Sequence, residues 1–585
     1  MAISLNYFFV YFFAYIVFPL SIFGYGYYFK YFLLNEKDFS FGESGIFGFF
    51  FLYILSVLIH FFLPINIIIG NIIIFIGLIL SFNNLKKIKN NFLTNWKNYT
   101  FIICLSLIVG ATNNLHDDAY LYQLPYINYL QSYKIMFGLV SLNEFAAYSH
   151  GFYDVMALFK VPFYSNQLLF ILPVIFTAFF CIFLTENFKD NNNLIKYFFY
   201  IIFFIILFRF TRSKQFGTDL PVICLIFLIQ IYILNFLEKN KDIFFLKALI
   251  IFLFSIFFKI YAVFSIIYFL VFIKYFKQYI ILFFKKKKIL ILLAFVCLIS
   301  FSKHFIHSGC LIYPISSTCF DKSDISWSFG SRAIELRKIS LEAGAKGIRA
   351  YIRDKNKLEL ITSEQYIEKF KYTYHKNVIK DPDFERFLVV LSIFLLLLIF
   401  SYTNKFIKKQ ERYFIFNNLS KLNSLILILP ALLWLIYLPQ LRYGGYAYLT
   451  LAFYVIFSKF KLIDYVNKKN LNTLLIIGIL FFTIKNINRI NQEITTKKFS
   501  IINYPLPVYK KFNYQEKKKT NIKINVTDHW QYCAEIAFPC IVISKYKALN
   551  KIEIKNGYYF LTNNDDKTIE HIKNEIYRTQ YGRNE

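Results

Sequence analysis

Runs of about 15–20 apolar residues recur from one end of this chain to the other, and each is long enough to cross a hydrocarbon core of roughly 30 Å as a helix. No soluble fold accommodates so many. Hydrophobic residues make up 57% of the 585, more than soluble domains hide in a core of this size. The runs lack the two-residue alternation of a barrel strand. The sequence predicts an all-α polytopic membrane protein with spans near 6–29, 45–62, 66–82, 98–112, 167–185, 194–210, 219–236, 245–258, 261–275, 289–306, 386–404, 425–440, 446–459 and 471–487. The pair within 245–275 also reads as one long or broken helix, which gives 11–14 transmembrane helices. The first 29 residues lack a basic n-region and a small-residue cleavage site, and read as a retained helix.

Lys and Arg collect in the short loops 83–98, 274–288, 405–412 and 459–469. All four fall on one side of the predicted spans, which the positive-inside rule makes cytoplasmic. The other side receives 113–165, 211–218, 307–385, 441–445 and a tail from 488, long enough to be translocated despite its lysines. The formal net charge of +31 sits in these loops and the tail, not in a separate basic domain, which argues against a nucleic-acid partner. The lipid bilayer is the expected surroundings and anionic headgroups the expected contacts of the basic loops.

Cys104, Cys181, Cys224 and Cys297 fall inside apolar spans and read as small buried hydrophobes. Cys310 with Cys319 and Cys533 with Cys540 are local pairs on the side assigned to the exterior, which reads as two disulfides. The expected organisation is N-terminal transmembrane helices over 1–97, a core over 98–306 with a first external acidic loop at 113–165, an external loop over 307–385, C-terminal transmembrane helices over 386–487, and a small external α/β appendage over 488–585.

Ionisable residues near the bilayer are costly and are usually paired or functional. On the external side these are His116, Asp117, Asp118, Glu144, His150, Asp154, Arg209, Arg212, Lys214, Asp219, Lys303, His304, His307 and Arg442. Either Asp117 or Asp118 suits the N-cap of the following helix, and Asp219, two residues before Pro221, suits a helix start. Arg209, Arg212 and Lys214 read as snorkelling to headgroups. For Arg442, in a turn between two spans, snorkelling and phosphate binding fit equally. Lys259 lies within the apolar stretch FLFSIFFKIYAVFSI and needs a partner, a water-filled cavity or a helix break. His304 and His307 stand one helical turn apart. Carboxylates in the first loop, with cations at other external span ends, suit transfer chemistry on a phosphate-bearing lipid. Two adjacent carboxylates also suit a divalent cation, Mg or Mn, although no cofactor is required by the pattern.

The stretches LHDDAYLYQLPYINYLQSYKIMFGLVSLNEF (115–145), FGTDLP (216–221), FKIYAVF (258–264), SGCLIYPISSTCF (308–320), LPQLRYGGYAYL (438–449) and YCAEIAFPC (532–540) resemble the GT-C class of membrane glycosyltransferases. More closely, they resemble a bacterial multi-span family related to that class. The resemblance implies transfer of a sugar from a polyprenyl-phosphate carrier to an envelope glycan, lipid or protein acceptor, on the external face of a bacterial inner membrane. Asp117 or Asp118 would then be the general base, with the other orienting the acceptor or holding a metal. Asp219 would line the same site, and Lys259 and Arg442 would meet the carrier phosphate. His116 and His304 complete the expected substrate-binding set. A polysaccharide polymerase or ligase, and a transporter or flippase of lipid-linked sugars, are the alternatives.

Overall fold

The computed structural model describes residues 5–36, 39–111, 115–148, 150–162, 164, 166–188, 193–209, 216–275, 285–345, 388, 421–438, 440–459, 468–495, 506–507, 509–520, 522–529 and 532–581. The expected span 386–404 apart from Leu388, the expected loop beyond residue 345, Arg212, Lys214, the basic loop 405–412 and residues 276–284 and 460–467 of two others lie outside them.

The protein is a mostly helical membrane protein. Among the described residues, Phe9–Leu34, Phe41–Phe62, Leu85–Ala111, Asp219–Lys239 and Lys287–Ser308 are helices long and apolar enough to cross a membrane, joined by four shorter apolar ones. In chain order the helices are α1 (Leu5–Leu34), α2 (Phe41–Phe62), α3 (Ile67–Phe82), α4 (Leu85–Ala111), α5 (Leu124–Ser132), α6 (Gly151–Ala157), α7 (Ile171–Asn187), α8 (Asn193–Arg209), α9 (Asp219–Lys239), α10 (Asp242–Phe258), α11 (Lys287–Ser308), α12 (Ser331–Ala345), α13 (Lys421–Tyr437), α14 (Tyr446–Lys459) and α15 (Lys468–Thr495).

One expectation changes and one open choice is resolved. The basic segment 83–98 is not a loop, because α4 is helical from Leu85 with a kink at Asn95 (φ −121°, ψ 16°). Lysine is a good helix former, so a polar composition alone does not end a helix. At Lys259 the helix breaks, one of the options its place between the expected spans 245–258 and 261–275 left open. Lys259 is the extended residue (φ −157°) that ends α10, and a 3₁₀-helical segment, Ile260–Tyr275, follows. That segment folds back on α10, with Phe245 against Phe272 (4.7 Å between ring centres) and Phe252 against Phe269 (5.3 Å). Lys259 therefore sits at the tip of a helical hairpin.

Small residues set the approach of α1 and α2. A Cβ on Gly26 would stand 1.7 Å from Ser44 O and 2.4 Å from Gly48 N, so the two backbones are in contact through glycines, as membrane helix pairs often are. Gly26→Ala is expected to destabilise the protein by about 1–3 kcal/mol or more through overpacking, read as a lowered melting temperature in detergent. The start of α2 is capped twice. Ser40 accepts from Glu43 N–H (3.1 Å), and the Glu186 carboxylate, from the end of α7, accepts from Phe41 N–H (2.8 Å) and Gly42 N–H (3.2 Å). These bonds satisfy donors that every helix N-terminus leaves open.

The tail builds two small sheets. Strands β1 (Tyr514–Lys519) and β2 (Ile522–Thr527) are antiparallel, and β2 pairs in parallel with β3 (Cys540–Val542); β4 (Leu549–Lys555) and β5 (Tyr558–Asn563) form a hairpin. Its turn uses Asn556 (φ 51°) and Gly557 (φ 73°), the left-handed pair that tight hairpins favour. Helices α16 (Ile543–Ala548) and α17 (Asp565–Tyr581) complete it.

The tail packs onto the segment after α4. Phe137 stacks on Phe560 at 4.3 Å, and Tyr558 donates to Phe61 O at the end of α2 (3.2 Å). Arg337 of α12 bridges Glu144 and Glu575, the latter at 2.9 Å. Burial opposes the charge on Glu575, but Arg337, Lys545 and His571 outweigh it and hold its carboxyl down at about 2. The described parts of the segment after α4, of 309–345 and of the tail thus pack on one another at the end of the bundle where α2 finishes.

Candidate functional site

The local structure starts from Pro125. It has no N–H to donate, and its ring crowds the carbonyl four residues back. The chain responds by widening into a π-helical turn, Ala119–Gln123, before α5 begins, a device found often at functional sites. Asp118 is the residue that enters this turn. Tyr122 and Gln123, within the turn, point into the same cavity as Asp118.

That cavity, about 140 Å³, is also lined by His116, Tyr153, Arg209, Thr218, Asp219, Lys259, Arg442 and Tyr443. The contributing elements are distant in sequence: the π turn, α6, the end of α8, the start of α9, the tip of the α10 hairpin, and a second π-helical turn, Leu441–Gly445. Gly444 has φ +85°, a backbone that L side chains rarely adopt, and it lets the chain turn sharply beside Arg442. Asp219 is the first residue of α9, so it serves as a helix-start carboxylate and faces the cavity as well. Its Oδ1 lies 3.5 Å from Lys259 Nζ and accepts no hydrogen bond among the described residues.

Arg442 is oriented by Gln440 Oε1, which accepts from Nε at 2.9 Å, and by the Tyr443 hydroxyl, 2.7 Å from Nη2. Arg209 is buried and stacks on the Tyr446 ring at 4.5 Å, a guanidinium held at the cavity rather than spread toward headgroups. Three fixed cations, Arg209, Lys259 and Arg442, thus face two carboxylates, Asp118 and Asp219. The lining is net positive, which favours an anionic guest and leaves two carboxylates to accept protons or hydroxyls.

His116 and Asp118 are coupled. His116 Nδ1 lies 3.3 Å from Asp118 Oδ2 and 3.2 Å from Asp118 N. A proton on Nδ1 favours the first contact, and its loss favours the second. The hydrogen bond to Asp118 raises the His116 pKa above the ordinary imidazole value. Burial pushes the Asp118 carboxyl up, but His116, with Arg442 and Lys259 farther off, more than offsets this and holds it below the usual carboxylate range.

The remaining sequence candidates lie elsewhere. Asp117 is exposed, is not part of the cavity wall, and stands within electrostatic reach of His529 and Tyr120. His304 is buried with its Nδ1 3.1 Å from Ala147 O, next to Lys303, which donates to both oxygens of Asp154 (2.6 and 2.5 Å). Cys310–Cys319 and Cys533–Cys540 are disulfides. Of the adjacent pair, Asp118 lines the cavity and Asp117 does not. Among the described residues, the side chains close enough to share a metal ion are Glu144, His571 and Glu575, and there Arg337 already bridges the two carboxylates. Arg209, Tyr122, Tyr153 and Tyr443 joined the cavity without being expected there. The one signal for Tyr122 is its spacing of four from Asp118, a separation that shares a helical face.

A family model described as Domain of unknown function (DUF8201) matches residues 8–449, which include every residue of the cavity wall. No curated protein and no solved structure matches the chain.

Proposed function

The chain belongs to the DUF8201 family, and we propose that it is an integral-membrane glycosyltransferase that moves a sugar from a polyprenyl-phosphate donor to an envelope glycan, lipid or protein acceptor. The active face is the external side of a plasma membrane. The observation that carries this reading is a single cavity in which Asp118 and Asp219 share the wall with Arg209, Lys259 and Arg442.

In the reaction, an acceptor hydroxyl oxygen bonds to the anomeric carbon while its proton passes to the Asp118 carboxylate. The bond between the anomeric carbon and the phosphate oxygen breaks, and its electron pair leaves on the phosphate. Arg442 and Lys259 face that growing charge from fixed positions. Asp219 Oδ1 orients the acceptor. Arg442 is already aimed by Gln440 and Tyr443, so little reorganisation is needed as charge develops. Cells carrying Asp118→Asn at normal protein levels should accumulate the lipid-linked sugar and lose the corresponding surface glycan; unchanged glycans and lipid intermediates would refute the reading.

The pH profile offers a second check. Asp118 must be ionised to act as base, and His116 helps keep its pKa down. In His116→Asn that support is gone, so the acid limb of kcat/KM should move to higher pH. A limb that stays in place or moves to lower pH contradicts the assigned coupling.

A polysaccharide polymerase or ligase is the second reading, favoured by the two arginines in the wall, Arg209 and Arg442. It predicts that arginine substitutions abolish activity while Asp118→Asn is tolerated.

A further inference from the structure

Pro125 leaves the π-helical turn short of a donor. In a π register its N–H would have bonded Tyr120 O, and in an α register Leu121 O; proline supplies neither. Both carbonyls are satisfied from outside the helix. Leu121 O accepts from Asn143 Nδ2 at 3.2 Å. Tyr120 O accepts two backbone N–H groups of the tail, from Cys533 at 3.3 Å and Ala534 at 3.0 Å.

Those two donors belong to the loop closed by the Cys533–Cys540 disulfide. Ala534 holds a left-handed backbone, φ 47°, a conformation that persists in a non-glycine residue when its surroundings enforce it. The same loop is pinned by Phe538, which packs on Tyr129 of α5 (5.2 Å) and on Tyr133 (5.5 Å). Upstream, Tyr509 donates to Asn166 O at 3.0 Å and Pro507 O accepts from Gln167 at 3.2 Å. Tyr120 is buried, against Phe512 and Tyr532. The tail meets the turn directly at Tyr120, and the same turn begins at Asp118 and carries Tyr122 and Gln123 into the cavity.

We propose that the disulfide-closed loop 533–540 is a positioning element of the cavity: its backbone donors replace the bond that Pro125 cannot make, and thereby fix the π turn that sets Asp118. The tail thus completes a site whose wall lies wholly within residues 8–449. The inference rests on the glycosyltransferase reading only for its activity arm.

The test is amide hydrogen exchange over 118–126 in the purified full chain in nanodiscs. Loss of two buried backbone bonds is expected to raise exchange there by about tenfold or more. Cys533→Ala/Cys540→Ala should show this rise, and Cys310→Ala/Cys319→Ala should not. Adding Pro125→Ala to the first variant returns an N–H to the turn and should restore protection, a rescue that general destabilisation of the tail does not predict. If the variant does not fold, the folded wild-type protein treated with reductant after purification serves instead, and should show the same local rise. Unchanged exchange over 118–126 in that reduced protein, or a rise that Pro125→Ala fails to reverse, overturns the proposal. With transfer assayed in parallel, the loosened variant should lose kcat with KM for the donor held within about twofold. Wild-type protein with no transfer but with the local exchange response would sink the transferase reading and leave the positioning element standing. Transfer without the exchange response would do the reverse.

Discussion

Asp118→Asn should reduce sugar transfer by about 10²–10⁴-fold, the usual worth of a positioned general base, while Asp117→Asn stays within about threefold. The two residues are adjacent in sequence and differ in place. Asp118 enters the π turn and lines the cavity with Arg442 and Lys259, whereas Asp117 is exposed and outside the wall. Asparagine keeps the shape and the hydrogen bonding of Asp118 but cannot take a proton. The loss corresponds to about 3–5 kcal/mol of transition-state stabilisation and should fall on kcat, because the proton moves only in the chemical step. Equal effects of the two substitutions would mean that local charge, not a base, is what the site requires. Steady-state rates on purified variants decide between these.

Lys303→Met is expected to destabilise the fold by about 3–5 kcal/mol, the typical result of leaving one member of a buried ion pair alone. Asp154 is wholly buried in α6, and Lys303 of α11 is nearly so. Lys303 contacts both carboxylate oxygens and lies over the Tyr126 ring at 5.4 Å. Tyr126 donates a longer bond to the same carboxylate (3.3 Å), which cannot replace the lost charge. Total stabilities are commonly about 5–15 kcal/mol, so the variant should show a large drop in melting temperature and in the yield of folded protein. The double variant Asp154→Leu/Lys303→Met should recover most of the loss, since an apolar pair of similar volume removes the stranded charge. A single variant as stable as the wild type would mean that water reaches Asp154.

Much of the bundle was legible because apolar runs end where polar residues begin, and the ends of α2, α3, α9 and α14 fall within a few residues of the expected limits. The exceptions have physical causes. Whether 245–275 is one helix or two stayed open, because both arms of the hairpin are apolar and Lys259 alone marks the turn. The beginning of α4 was hidden because its lysines and asparagines are compatible with a helix. In the cavity, His116, Asp118, Asp219, Lys259 and Arg442 were each marked by charge at a span end, and the structure brings these five together. The choice between Asp117 and Asp118 depends on the register of the π turn before Pro125, which no charge pattern encodes. His304 carried the same polar signal as the others but points to Ala147 O. The partnerships of Asp154 with Lys303 and of Glu144 with Arg337 join segments far apart in sequence, and pairing of that kind is set by packing alone.

The claim that the cavity receives a lipid-borne phosphate is tested most directly by binding, without any need to know the sugar. Decaprenyl phosphate added to the protein in nanodiscs, with occupancy followed by native mass spectrometry, should bind the wild type. Arg442→Ala should weaken that binding by about tenfold or more, as expected when a charge-assisted contact to phosphate is removed. Asp118→Asn should bind at least as tightly as the wild type, since it removes a negative charge from the wall. Failure of the wild type to bind, or equal binding by Arg442→Ala, would contradict the account.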